Sequence, residues 1–248
     1  MRPTSKPNII IGIHPLEEAI RAGKNIDKVL FNKEIRSDKI KALKDELKQN
    51  GIPFSLVPEI KLNKISRANH QGVIAFMAPI AFASFENTIM SELESGVTPL
   101  FLLLDRITDV RNFGAICRSA ECFGATTVII PEQGAAQINE EALKTSAGAL
   151  MNLAICKVKN LTDAVDYLHA SGFETAVLSE KATQSVFQYS AARDKNQPLC
   201  LIMGSEEDGI QPAILKRATH LLTIPMAGKT TSLNVSVATG IALATLSQ

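Results

Sequence analysis

Long apolar runs and paired cysteines are both missing from this sequence of 248 residues. No apolar run approaches the roughly 18 residues that a membrane-spanning helix needs. The early run Ile9–Ile11 is cut short by Gly12 and His14, which argues against a signal peptide. The four cysteines form no CxxC pair and lie in apolar stretches, as is typical of buried thiols in a reducing compartment. We therefore expect a cytoplasmic protein that does not enter a membrane.

Two common nucleotide-binding signatures are missing as well. Gly228-Lys229-Thr230 suggests a phosphate-binding loop, but that motif needs a glycine five residues before Gly228, where Thr223 stands. No GxGxxG opens a helix, so the dinucleotide-binding signature is absent too. The four histidines are scattered along the chain, and no metal site is predicted.

The charge is unevenly distributed although its total is only +1. Residues 1–78 carry 14 Lys and Arg against 8 Asp and Glu, a net charge of +6. Residues 79–248 carry 12 against 17, a net charge of −5. A basic first segment favours contact with a polyanion such as nucleic acid. The alternative is an ordinary solvated helix face formed by Lys39, Lys41, Lys44 and Lys48.

A change of pattern near residue 79 indicates a domain boundary. The apolar residues that follow have no clear period, and Pro79 disfavours helix just before it. We predict a first domain at 1–78, a linker at 79–84 and a second domain at 85–248.

Apolar segments alternate with helical patterns in both domains. In the first, we predict strands at Ile9–Ile11, Lys28–Phe31, Phe54–Val57 and Gly72–Met77, with helices at Pro15–Arg21 and Ser37–Gln49. In the second, we predict strands at Leu100–Leu104, Thr127–Ile130, Leu153–Val158, Thr175–Leu178, Leu199–Met203 and Leu221–Ile224. Helices are predicted at Glu86–Glu94, Ala115–Phe123, Glu140–Leu150, Leu161–Ala170 and Pro212–Ala218. This pattern predicts an α/β fold whose parallel sheet is covered on both faces. Ligands of such sheets bind beyond the carboxyl ends of the strands.

Three loops at predicted strand ends contain the candidate chemistry. After Leu104, a helix of small and apolar residues contains Arg118, which we expect to be buried and to need an anionic partner. The alternative is a plain helix cap followed by a solvated arginine. After Met203, Gly204 and Gly209 flank three acids and suit close approach of a ligand to the backbone. After Ile224, a helix begins near Ser232, and its Asn234 is either a cap or a site residue.

Together, the motifs of these loops resemble those of the SpoU/TrmH family of RNA ribose 2′-O-methyltransferases, in the SPOUT class. The matching segments are 112–120, 201–209 and 224–238, with a further likeness at 144–149. The first domain, with segments 12–20 and 69–72, resembles the L30e-like substrate-binding domain that precedes the catalytic domain in this family.

The resemblance implies a parallel sheet with a C-terminal trefoil knot, a homodimer, and S-adenosylmethionine as cofactor. It places Asn112, Arg118, Glu206, Ser232 and Asn234 in the reacting site, with Arg118 meeting the cofactor of the partner subunit. It assigns cofactor binding to Met203, Gly204, Glu206, Gly209, Ile224, Met226, Ser232 and Leu233. Two positions depart from the family pattern: Val110 stands where proline is frequent, and Glu207 where glycine is frequent.

The implied reaction is 2′-O-methylation of rRNA, at a guanosine of 23S rRNA. A tRNA ribose methyltransferase of the same family and a non-catalytic RNA-binding dimer are the alternatives. The base that accepts the ribose proton stays open between Arg118, which also suits electrostatic stabilisation, and Glu206, which also suits a structural role. In the first domain, we predict phosphate contacts for Arg21, Lys24, Lys33 and Arg36.

Overall fold

A computed structural model describes residues 9–228 and 232–248 and divides the chain into two compact units. The first contains the residues up to Ala81 together with Ile138–Glu140, and the second contains the rest. The predicted limits 1–78, 79–84 and 85–248 stay a prediction. The last residues of the predicted linker include Ala83, whose N–H donates to the carbonyl of Ile155 at 2.9 Å within the second unit.

The first unit is a four-stranded sheet covered on both faces. Its strands are β1 (Ile9–Ile11), β2 (Ile26–Asn32), β3 (Phe54–Val57) and β4 (Val73–Met77), in the order β1-β4-β2-β3. Its helices are α1 (Ile13–Arg21), α2 (Asp38–Gln49) and α3 (Glu59–Ile65). Side chains alternate along β2, so Val29 and Phe31 pack with α1 and α2, while Leu30 packs with Leu62 of α3.

A side-chain cap marks the start of one helix in the first unit. Ser37 is the predicted cap of α2, and its hydroxyl accepts a hydrogen bond from the Ile40 N–H at 3.2 Å. The sequence analysis missed α3, which is a short helix of seven residues without a side-chain cap.

The second unit contains a seven-stranded parallel sheet in the order β7-β6-β5-β10-β8-β11-β9. Its strands are β5 (Leu100–Asp105), β6 (Thr127–Pro131), β7 (Ala154–Val158), β8 (Glu174–Leu178), β9 (Gln184–Ser185), β10 (Leu199–Gly204) and β11 (His220–Thr223). Its helices are α4 (Phe85–Glu94), α5 (Val110–Cys122), α6 (Glu140–Thr145), α7 (Leu161–Ala170), α8 (Val186–Ala192), α9 (Pro212–Leu215) and α10 (Val235–Leu246). The predicted α/β fold with a parallel sheet is confirmed.

Helices cover both faces of this sheet. On one face, residues of α4, α7 and α9 form one apolar cluster with Phe101 and Leu103 of β5. On the other, α10 packs against α5, α8 and β10.

Within the described residues, no helix is both long and apolar enough to cross a membrane. The trefoil knot stays a prediction, and Lys229, Thr230 and Thr231 of the third motif lie outside the described residues.

Two predicted helices of the second domain are shorter than expected. The single helix predicted at Glu140–Leu150 is wrong, because Ala147 and Gly148 have φ of +51° and +90°. These left-handed conformations end α6 and lead into a 3₁₀ turn at Ala149–Met151. Likewise α9 ends at Leu215 rather than Ala218. The sequence analysis also missed β9 and α8.

A buried tyrosine connects α8 to the amino end of β8. The Tyr189 hydroxyl donates to Glu174 Oε2 at 3.1 Å, and the same oxygen lies 3.0 Å from His220 Nε2. Burial raises the pKa of Tyr189 to about 12, with the negative charge of Glu174 adding to the effect. The folded state therefore favours the neutral phenol more strongly than the unfolded state does.

This pKa predicts a loss of stability at high pH. The unfolded tyrosine ionises near pH 10, so the free energy of unfolding falls as pH rises from about 10 towards 12. In Tyr189→Phe, we expect a shallower fall over this window in a pH series of urea denaturation curves. The chain has two tyrosines, and the matched control is Tyr167→Phe, since Tyr167 is exposed. Equal slopes in the two variants would contradict the assignment.

Candidate active site

The carboxyl ends of four neighbouring strands lie at one edge of the parallel sheet. Strands β5 and β10 pair directly, with Asp105 opposite Gly204. Strand β8 pairs with β10 on its other side, and β11 pairs with β8. The loops that follow these strands are therefore neighbours, at the edge where parallel sheets bind ligands.

A cavity of about 310 Å³ opens between the loops after β8, β10 and β11. All eight residues predicted to bind the cofactor line it: Met203, Gly204, Glu206, Gly209, Ile224, Met226, Ser232 and Leu233. The loop after β8 also lines it, through Ser179, Glu180 and Lys181. The sequence analysis missed this loop, because only the strand order shows that β8 lies between β10 and β11.

Three of the five predicted reacting-site residues are joined by hydrogen bonds. The Asn234 side-chain NH₂ donates to Asn112 Oδ1 at 3.0 Å and to Glu206 Oε1 at 2.8 Å. Glu206 Oε1 also accepts from the Val235 N–H at 2.9 Å. Asn234 is at the same time the cap of α10, since its Oδ1 accepts from the Ser236 N–H. Asn234 thus acts as a cap and also contacts the other site residues.

Gly204 and Gly209 allow the two ends of the loop after β10 to approach each other closely. A Cβ on Gly204 would lie 2.4 Å from the carbonyl carbon and oxygen of Gly209. Gly209 has a φ of +63°, and its N–H donates to the Ser205 carbonyl at 3.0 Å. The backbone approach that requires glycine at position 204 is therefore made by the loop itself, whereas the sequence analysis attributed it to a ligand.

The prediction that Arg118 is buried is wrong for the single chain. Helix α5 buries the face that carries Phe113, Ile116 and Cys117, while Arg118 lies on the exposed face. No hydrogen bond or ion pair joins its guanidinium to another residue that the structure describes. Ser232 is exposed and lines the cavity. The structure therefore gathers Asn112, Glu206 and Asn234 and leaves Arg118 outside their network.

Burial raises the pKa of the thiols of Cys117 and Cys200, which keeps both protonated at neutral pH. Nowhere in 9–228 and 232–248 do three His, Cys, Asp or Glu side chains cluster in a way that could hold a metal ion.

Comparison with known families assigns both units. Residues 99–244 match the model of the SpoU rRNA Methylase family, which is more than half of the chain. The chain belongs to the SpoU family of RNA methyltransferases. Residues 9–83 match the model described as RNA 2′-O ribose methyltransferase substrate binding.

Relatives of this SpoU-family chain extend over most of its length. A protein of Staphylococcus haemolyticus assigned to the TrmH family of tRNA/rRNA methyltransferases is 31% identical over 94% of this chain and 92% of its own. An uncharacterised tRNA/rRNA methyltransferase of Synechocystis is 33% identical over 95% of this chain, which spans 61% of that protein. The SpoU methyltransferase AviRb of Streptomyces viridochromogenes, solved with AdoMet, aligns with a TM-score of 0.57 at 23% identity. That alignment covers 96% of this chain and 88% of AviRb, and it shows a shared fold.

In the substrate-binding unit, the four predicted phosphate contacts form two groups. Arg21 and Lys24 lie before β2, whereas Lys33 and Arg36 lie after it. All four are exposed. Since β2 has seven residues, the two groups are separated by roughly 20 Å along the strand. They do not form one compact patch.

The Glu206 network predicts a stability effect. Glu206→Ala removes the acceptor of two hydrogen bonds and a negative charge at the N-terminus of α10. We expect the free energy of unfolding to fall by about 1 kcal/mol, as for loss of a helix cap. The exposed neighbour Glu207 provides the control: Glu207→Ala should change this energy by less than about 0.5 kcal/mol. Urea denaturation at one protein concentration measures both, and equal losses would contradict the capping role.

Proposed function

We propose that this SpoU-family protein uses S-adenosylmethionine to methylate a ribose 2′-hydroxyl of rRNA, at a guanosine of 23S rRNA. The observation that carries the proposal is the hydrogen-bonded group of Asn112, Glu206 and Asn234 beside the cavity. The match of the first unit to a 2′-O ribose substrate-binding model supports the ribose as the acceptor.

The cavity suits S-adenosylmethionine in size and in character. A volume of about 310 Å³ is within the range of sites for small molecules. Its wall includes the apolar residues Met203 and Ile224, which suit an adenine ring. Its rim includes Glu206, Glu207 and Asp208, which suit a ligand with positive charge and repel phosphate. When bound, S-adenosylmethionine supplies a methyl group activated by its sulfonium.

The protein's own contribution is alignment and charge stabilisation. Orienting two reactants accounts for ~7–11 kcal/mol in favourable intramolecular reactions. Asn234 is held by its cap bond to Ser236 and by Glu206, which makes it a rigid element of the site. Because Glu206 Oε1 already accepts two hydrogen bonds, we assign this oxygen a structural role. The proton of the 2′-hydroxyl then passes to water as the O–C bond forms and the S–C bond breaks. Ser232 is the exposed hydroxyl of the same segment and completes the proposed site.

We include a homodimer and the C-terminal trefoil knot in this proposal. Helix α10 is apolar around most of its circumference, yet Val237 is 50% exposed. A helix of this composition is normally buried on all sides. Phe123, at the end of α5, and Met151, on the 3₁₀ turn that packs with α5, are exposed as well. A second copy of the chain on this face would cover them.

In the proposed dimer, Arg118 contributes to the active site of the other subunit. An exposed guanidinium on α5 is free to reach the active site of the other subunit. Because arginine stays protonated above pH 12, we propose that Arg118 binds the phosphate beside the target ribose and stabilises developing negative charge. Under this role, Arg118→Lys keeps part of the activity that Arg118→Ala loses.

The substrate test is transfer of labelled methyl from S-adenosylmethionine to unmodified 23S rRNA, 16S rRNA and tRNA. We expect a single 2′-O-methylguanosine in 23S rRNA after nuclease digestion. Relatives named tRNA/rRNA methyltransferases make tRNA the competing substrate, and label in tRNA would overturn the rRNA assignment. Absence of both labelling and cofactor binding by calorimetry would favour a non-catalytic RNA-binding dimer.

Mixed dimers test the placement of Arg118. We expect Arg118→Ala and Asn234→Ala to be inactive alone. If Arg118 serves the other subunit, a mixed dimer has one complete site, and the co-refolded mixture recovers about a quarter of wild-type activity, because half of the dimers are mixed. If Arg118 serves its own subunit, every site in the mixture is defective. A mixture that stays inactive would therefore contradict the proposal.

A further inference from the structure

A fully buried carboxylate lies beneath the acidic loop Ser205–Gly209. Asp105 ends β5 and is 0% exposed. Its Oδ2 accepts from the Gln211 backbone N–H at 2.7 Å, and its Oδ1 accepts from Gln211 Nε2 at 2.8 Å. Its second partner is Arg106, whose Nε donates a third hydrogen bond to Oδ1 at 3.2 Å. Since burying a charge is costly unless it is paired and hydrogen-bonded, Asp105 constrains both partners strongly.

The next residue extends these contacts to the loop. Arg106 has a φ of +58°, a left-handed conformation that is uncommon outside glycine. Its Nη1 donates to Asp208 Oδ2 at 3.3 Å, and its Nη2 donates to the Gly209 carbonyl at 3.1 Å. The rigid fork of the guanidinium therefore binds the loop and Asp105 at the same time.

The acidic loop is thus bound from two sides. On one side, Arg106 holds Asp208 and Gly209 against the end of β5. On the other, Glu206 contacts Asn234 and the first N–H of α10. Arg106 also places positive charge beside a run of three carboxylates that repel one another. It does not line the cavity, so its effect on the site passes through the loop.

We propose that Arg106, oriented by Asp105, is a positioning residue for methyl transfer. It holds the Ser205–Gly209 loop so that the Glu206 carboxylate meets Asn234. This inference rests on the proposed function, because the loop is the proposed cofactor loop. None of the sequence motifs singled out Asp105 or Arg106.

The test compares Arg106→Gln with Arg217→Gln. Arg217 is a matched control, because it too donates to a carboxylate, Asp166, and to a carbonyl, that of Ala213, and it does not line the cavity. For Arg106→Gln, we expect the KM for S-adenosylmethionine to rise about tenfold, as for loss of a hydrogen bond to a charged group, and kcat to fall. For Arg217→Gln, we expect both constants to stay near wild type.

Amide hydrogen exchange measures the stability of the Ser205–Gly209 loop without requiring enzymatic turnover. In Arg106→Gln, peptides that cover 204–211 should exchange faster, while peptides that cover β6 stay as in the wild type. Arg106→Lys keeps the charge without the fork, so its KM should lie between those of the wild type and Arg106→Gln. The melting temperature of each variant shows whether the whole fold is destabilised or only the loop is displaced. Since the Arg106 side chain is partly exposed, we expect Arg106→Gln to fold.

Wild-type KM, kcat and loop exchange in Arg106→Gln would overturn the inference. If Arg106→Lys is as impaired as Arg106→Gln, the positive charge of Arg106 does not contribute to holding the loop. A wild-type protein that binds no S-adenosylmethionine would instead refute the proposed function. In that case, faster exchange in Arg106→Gln would still support the contact between Arg106 and the loop.

Discussion

The parallel pairing of β5 with β10 is the constraint on which the candidate active site depends. Their register sets Asp105 opposite Gly204, so residues about a hundred positions apart in the chain begin their loops side by side. Helix α5 follows β5 after a short turn, and the Asp109 carboxylate sets its start by accepting from the Asn112 N–H at 2.7 Å. Asn112 is thereby presented to Asn234 at the start of α10, which packs on α5.

The charge of the second loop requires compensation by its neighbours. Glu206, Glu207 and Asp208 are consecutive. Their three negative charges repel one another, and this repulsion favours an open loop. Two of the three have fixed partners: Glu206 at α10 and Asp208 at Arg106. Glu207 is exposed, and the resemblance to the family implies that glycine is frequent at this position. Its additional charge is therefore left to solvent or to a ligand.

The two units divide the work that the SpoU family requires. The second contains the cavity and the hydrogen-bonded site residues. The first carries 14 of the 26 Lys and Arg residues, and the four predicted phosphate contacts lie just before and just after β2. The predicted phosphate contacts would give affinity without reading bases. Two separate groups of basic residues suit an extended or folded RNA better than a single phosphate.

The sequence alone determined the class of the fold, the strands of both sheets except β9, and the three motifs of the site, because apolar periodicity and cap residues are local signals. It also predicted the residues of the cavity wall through the resemblance to the family. It could not determine the order of the strands, and so it missed the loop after β8. It placed Arg118 inside because an apolar helix was assumed to be buried on every face, whereas α5 buries only one. The contacts of Asp105 with Gln211, and of Arg106 with Asp208 and Gly209, were decided by tertiary structure alone, because they join segments about a hundred residues apart and leave no periodic pattern in the chain.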